Sequence, residues 1–197
     1  MTTILIARLF EHIEPINRGD RYEDPLDAVL RERGLGEVTG GGSQLSETGE
    51  IECADVEIQV ANPDAAIPVI VECLESAGAP AGSELVSESG AVLKVFGGRQ
   101  SLAVYLDGAT LPDEVYAALD FDAVVQQLTN AAGPDSYHGC WQGPAETGLF
   151  FFGAGAEGMW ARVEPVLRGL PIGQKARVVV RPGKGLTDAR TIRLPRQ

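Results

Sequence analysis

The chain is 197 residues long, 44% of them hydrophobic, with 16 basic residues set against 28 acidic ones for a formal charge of −12. A chain of this length buries roughly 70% of the surface its unfolded form exposes, so it needs no staples, and its apolar content excludes wholesale disorder. The charge opposes phosphate backbones and anionic headgroups, which makes nucleic acid and membrane poor partners and a basic protein surface a good one.

Alternating apolar residues predict a first strand over 3–10; it is interrupted by Arg8 and has no basic leader or small-residue cleavage site, so it does not read as a signal peptide. A charged stretch follows, holding Glu14, Arg18, Asp20, Arg21, Tyr22, Glu23 and Asp24. It reads as a loop, long for its connection, which favours a functional role and makes Asp20, Tyr22 and Glu23 candidate binding residues. Arg18-Gly19-Asp20 matches an adhesion tripeptide in letters alone, and the carboxylates lack EF-hand spacing. Asp24-Pro25 supplies capping chemistry for a helix over 25–33, which Gly34 stops.

A hairpin over 37–44 and 50–60 carries Thr39-Gly40-Gly41-Gly42-Ser43 in its first arm. That run lacks the Gly-Lys-Ser/Thr ending of a phosphate-cradling loop and opens onto no helix. It reads either as a bulged strand where two backbones approach closely or as backbone that a partner approaches, and the second reading makes Gly40, Gly41 and Gly42 candidates. Asn62-Pro63-Asp64 introduces a helix over 65–77, ended by Gly78, and strands near Leu85 and over 91–96 complete this half. In the second half the periodicity predicts strands over 102–106, 137–142, 148–152, 176–181 and 191–194, with helices over 121–132 and 156–167. Pro68 and Pro165 fall near the first turns of predicted helices and imply a later start or a kink. Lys184, between Gly183 and Gly185, reads as a loop lysine without the context of a nucleotide site.

Two matches in the same order point to duplication: Glu47-Thr48-Gly49 with Glu146-Thr147-Gly148, and Gly78-Ala79-Pro80-Ala81-Gly82 with Gly169-Leu170-Pro171-Ile172-Gly173. The shared element order predicts an α+β fold of two tandem ferredoxin-like repeats, each βαββαβ plus one extra strand with an antiparallel sheet, spanning 1–98 and 99–197. Leu149-Phe150-Phe151-Phe152, Val178-Val179-Val180 and Ile4-Leu5-Ile6 are apolar on both strand faces. The second face is therefore expected to be covered, most simply by the other repeat, with a homodimer as the next option.

Where the first arm has its glycines, the second reads Tyr137-His138-Gly139-Cys140-Trp141-Gln142. Strand alternation puts His138, Cys140 and Gln142 on one face and Tyr137, Gly139 and Trp141 on the other. A thiol and imidazole on one face could form an activated nucleophile, but i and i+2 side chains stand roughly 7 Å apart along a strand, so a packed thiol and a hydrogen-bonded surface histidine are the simpler reading. Tyr137, His138 and Trp141 join the candidate binding residues, aromatic side chains being frequent interface anchors. Cys53, Cys73 and Cys140 are widely spaced and accompany only 2 histidines, so neither a zinc site nor a disulfide framework is expected, and no motif calls for a cofactor or metal. No run approaches the ~18 apolar residues of a membrane span, and the cytoplasm is the expected compartment.

In architecture and acidity the chain resembles small cytoplasmic immunity or inhibitor proteins of bacteria, a likeness of class features that covers no specific motif. It implies a non-enzymatic, acidic protein-binding module with a basic protein partner. The alternative is a small enzyme or ligand-binding domain, with a cleft between the repeats lined by His138, Cys140, Trp141 and Glu146 and by the 20–24 segment.

Overall fold

A computed structural model describes residues 2–183 and 188–195, and the chain divides into two units, Met1–Arg99 and Gln100–Gln197. The expectation for Lys184 lies outside the described residues. In the first unit β1 (Thr3–Leu9) leads through α1 (Pro15–Arg18), a π-helical turn (Gly19–Glu23) and α2 (Asp24–Glu32) to β2 (Gly36–Leu45) and β3 (Ile51–Val60). Then come α3 (Pro63–Ser76), β4 (Ser83–Ser87) and β5 (Val92–Phe96). The strands pair antiparallel in the order β2-β3-β1-β4-β5.

Period-two alternation aims Leu5, Ala7 and Leu9 of β1 and Ala54, Val56 and Ile58 of β3 at one face of that sheet. There they meet Leu26 and Leu30 of α2 and Ala66, Ile70 and Leu74 of α3, which recur at helical spacing. Each large side chain buried in this way contributes about 1.5–3 kcal/mol.

The second unit repeats the plan: β6 (Gln100–Asp107), α4 (Asp113–Ala117), α5 (Phe121–Ala132), β7 (Tyr137–Gln142), β8 (Glu146–Gly153) and α6 (Ala156–Gly169), then a 3-10 turn (Pro171–Gly173), β9 (Arg177–Arg181) and β10 (Arg190–Arg193). Its antiparallel sheet runs β10-β9-β6-β8-β7, the first order read from the other edge. Leu102, Val104, Phe151, Val178 and Val180 pack on Val124, Leu128, Val163 and Leu167. The fold is α+β: two similar five-stranded sheet-and-helix units in tandem, each with the ferredoxin-like strand order and one added edge strand.

Pair registers give the correspondence between units. Leu5 pairs with Ile58 and Ser87, and Leu102 pairs with Phe151 and Val180. With Leu5 laid on Leu102, Val38 falls on Tyr137, and both arms bulge at the next residue, Thr39 and His138 respectively. The matched hairpin arms are thus structural equivalents. Glu47-Thr48-Gly49 and Glu146-Thr147-Gly148 are not: the first lies in the β2–β3 turn, whereas the second lies inside β8, paired with residues of β6. Gly78–Gly82 and Gly169–Gly173 do occupy the same helix-to-strand connection.

Three local expectations are corrected. The 11–24 stretch is largely helical, so α2 continues a preceding turn and Asp24 makes no capping bond. Asn62 does cap α3, its Oδ1 accepting from the Ala65 amide at 3.4 Å. Helices α3 and α6 run through Pro68 and Pro165 and do not start after them, leaving a helical carbonyl without its amide donor in each case. Among the described residues no helix is long and apolar enough to cross a membrane.

Candidate functional site

The helical lead-in to α2 and the glycine arm of β2 come together in the first unit. Arg18 is 7% exposed and pairs with Glu23, while its Nη1 donates to the Gly42 carbonyl at 2.7 Å and the Ser43 hydroxyl at 3.3 Å. This explains Gly41. A Cβ there would stand 2.7 Å from the Asp55 carbonyl oxygen, 2.7 Å from Glu23 Oε1 and 2.8 Å from Arg18 Nη2. The glycine run thus permits a close approach at Gly41, whereas Gly40 and Gly42 have open space where a side chain would stand.

Behind that contact lies a buried polar network. Glu11 and Tyr22 are both fully buried; Tyr22 donates to Glu11 Oε2 at 2.6 Å and Arg21 Nη1 donates to Oε1 at 2.6 Å. Burial first, and the Glu11 carboxylate second, push the Tyr22 hydroxyl above its ordinary pKa. Alongside, His12 Nδ1 stands 3.4 Å from Glu50 Oε1. Tyr22 is therefore a core residue and offers nothing to a partner, which corrects its expected place among the binding residues. Asp20 is exposed and Glu23 half-buried, occupied with Arg18. Burial of Arg18 also removes the adhesion tripeptide from display.

In the second unit the bulge at His138 overturns the simple alternation of the arm. Tyr137 packs on the helix-facing core beside Phe151, with ring centroids 5.7 Å apart. His138 lies against Phe152 at 4.8 Å, on the opposite face with Trp141. Cys140 comes onto Tyr137's side; burial and a hydrogen bond with the Cys140 thiol raise the tyrosine hydroxyl's pKa. One extra residue thus separates the imidazole and thiol that alternation had placed together, because each residue beyond a bulge exchanges faces.

Trp141 belongs to an aromatic patch with Ala103, Tyr105, Phe150, Phe152 and Val179 on the sheet face away from the helices. Arg177 lies 3.7 Å over the Tyr105 ring, and Glu146 accepts from its guanidinium. A Cβ at Gly143 would stand 2.0 Å from the Trp141 ring, so glycine there gives the indole its place.

None of the candidate binding residues read from the sequence falls on β5 or β10, the edge strands that end each unit. Among the described residues the exposed large apolar side chains are Ile16, Leu45, Val92, Leu93 and Val95, the last three on β5 at 53%, 45% and 57% exposure. Val95 and Val92 pair with Glu84 and Val86 of β4, and Leu93 is the extra residue of a bulge. The signal lay in the sequence as Val92-Leu93-Lys94-Val95, where a solvent-facing edge strand should carry polar residues. The equivalent β10 does so: Arg193 stands at the register of Val95 and Thr191 at that of Val92.

The class defined by this geometry is an α+β protein of two tandem ferredoxin-like units whose polar clusters lie within each unit. No protein-family model matches the chain, and no curated protein matches it by sequence. Among solved structures it is similar to an unknown protein from Galdieria sulphuraria, at 12% identity and TM-score 0.30, covering 92% of this chain and 99% of that one. It is also similar to a "putative monooxygenase" from Fusobacterium nucleatum subsp. nucleatum, at 7% identity and TM-score 0.32, over 100% of this chain and 98% of that one. A "putative monooxygenase" from Lactobacillus acidophilus matches at 11% identity and TM-score 0.30, over 97% and 99% of the two chains.

Proposed function

We propose that this chain is a non-enzymatic protein-binding module of the immunity or inhibitor kind, acting on a basic protein partner. The observation that carries the reading is the cluster of exposed Val92, Leu93 and Val95 on one edge strand of a chain with net charge −12. Exposed apolar side chains gathered at an unpaired edge mark an association site, and the surrounding charge selects the sign of what associates. The polar groups of the two hairpin arms serve a different purpose on this reading. Arg18, Glu23 and Gly41 hold the lead-in to α2, and Tyr137 and Trp141 pack on the two faces of their own sheet.

The test is capture from a native lysate at low salt, followed by titration of the purified partner. A basic partner whose binding weakens as salt rises supports the reading. A captured partner that is acidic, or a salt-independent interaction, contradicts it.

A second reading, a ligand-binding domain, has one observation behind it. In the second unit a hollow of about 190 Å³ is lined by Val115, Leu119, Val124, Leu170 and Ile172, with Asp120 and Gln127 also on its wall. Apolar hollows with a few polar groups are the usual form of small-molecule sites. Thermal stabilisation by a monocyclic aromatic compound, abolished by Leu119→Trp, would favour this reading over the first.

A further inference from the structure

The protein-binding reading names an edge strand; the mode of engagement and the chemistry of the occupant follow from what surrounds it. Among the described residues β5 pairs with β4 alone, so its other side presents unpaired backbone donors and acceptors. An extended segment that lies along such an edge gains main-chain hydrogen bonds, and its alternate side chains meet the row already there. On the face away from the helices that row is Val92 and Val95, with Glu84 and Val86 one strand further in.

The charges nearby are unequal. Glu84 lies opposite Val95, Glu88 is exposed in the β4–β5 turn, and Glu75 accepts from the Gly97 amide at the far end of the strand at 3.1 Å. Lys94 is the cation of the strand itself, Arg8 is held bidentately by Asp55, and the Arg99 side chain lies against Gly78. Three carboxylates thus flank one strand lysine, in a chain whose net charge is −12.

A second copy is a poor occupant. Antiparallel pairing of β5 with itself about its centre sets Lys94 opposite Lys94, and like charges directly opposed across a strand pair are destabilising. Such a pairing also brings two chains of −12 together. An apolar segment with basic residues at its two ends meets neither objection, since Lys94 then faces an uncharged residue while Glu88 and Glu75 lie at the two ends of the strand. The duplication supplies a control within the molecule: β10 has Arg190 and Arg193 on the corresponding edge, which repel the same segment.

We infer that β5 accepts, by strand addition, an extended apolar segment of a partner protein with lysine or arginine at its two ends. This rests on the protein-binding reading and makes it specific to one edge and one chemistry.

The probe is a synthetic valine–threonine peptide with arginines at both ends, and the same peptide with glutamates in place of the arginines is its counterpart. Both are titrated against the full chain and followed by backbone hydrogen exchange. The expected result is binding of the basic peptide alone, new protection confined to β5, and at least a tenfold loss of affinity in Val95→Lys, whose exposed site leaves the fold intact. Glu84→Gln should weaken binding less and flatten its salt dependence. Binding of both peptides alike, protection elsewhere, or unchanged affinity in Val95→Lys overturns the inference, as does absence of binding up to about 1 mM peptide. Concentration-dependent self-association of the peptide-free chain that Val95→Lys abolishes also overturns it, by making a second copy the occupant. If a natural basic partner binds wild type and Val95→Lys equally, the edge assignment fails while the binding-module reading stands.

Discussion

At one register position the two units carry different chemistry on the same backbone. In the first, Arg8 of β1 grips Asp55 of β3 through two bonds of 3.0 Å, and Glu84 of β4 stands on its other side. In the second, the same three places hold Tyr105, Gly148 and Arg177; the cation lies on the aromatic ring at 3.7 Å and finds its carboxylate in Glu146, two residues along β8 from Gly148. Gly148 is what allows this, since a Cβ there would stand 3.1 Å from the Tyr105 ring. The strand order tolerates either solution because both fill the same sites; what differs is the face away from the helices, where the first unit pairs its cation directly across the strands and the second lays it on an aromatic patch. Duplicated backbones therefore keep pairing and bulge positions while their side chains diverge, and equivalent residues must be tested in pairs.

The largest contrast lies in the cores. Phe151 and Ile58 share a register position and both are fully buried, so Phe151→Ala should cost about 3–5 kcal/mol and Ile58→Ala about 2–5 kcal/mol, read from urea melts. A loss under 1 kcal/mol at either site would break the equivalence.

The bulged arms should differ more sharply. Gly41 and Cys140 correspond, yet a Cβ at Gly41 collides with the Asp55 carbonyl oxygen, whereas the Cys140 side chain is exposed. Gly41→Ala is expected to cost about 1–3 kcal/mol. Cys140→Ala should stay within about 0.5 kcal/mol of wild type. Equal effects would mean that the arm, and not the Arg18–Glu23 pair behind it, sets the constraint.

Tyr22→Phe probes the buried network of the first unit. It leaves Glu11 Oε2 without the donor at 2.6 Å, for an expected loss of about 1–3 kcal/mol. A neutral result would show that Arg21 alone satisfies the carboxylate.

A pH dependence of stability is expected from Asp107 in the second unit. Partial burial favours the neutral form of Asp107, but the Thr110 hydroxyl, the Thr110 and Ala109 amides and the Tyr116 hydroxyl all donate to the carboxylate and hold its pKa well below the usual range. A pKa lower folded than unfolded means that Asp107 stabilises fully above its unfolded value near about 3.9, with the contribution lost as pH falls toward the folded one. Asp107→Asn should flatten the acid limb of stability against pH. An unchanged limb would assign acid sensitivity to other carboxylates.

Much of this architecture was legible in the residues alone. Period-two and period-3.6 patterns placed most strands and the longer helices, and the βαββαβ-plus-one order identified the fold, because burial of one face imposes those periods whatever the distant contacts. The match of Val38 with Tyr137 was legible for the same reason. The helical form of 15–23 was not, since Arg18, Arg21 and Tyr22 look like loop residues until Glu11, Glu23 and the Gly42 carbonyl give them partners. Nor was the face of His138, which depends on one bulged residue whose place is set by pairing with β8. Patterns local in the chain report which side of an element is buried, and they determined the two units; which charged residue is buried, which glycine is crowded and which edge stays open depend on atoms brought from tens of residues away, and only the tertiary structure decided those.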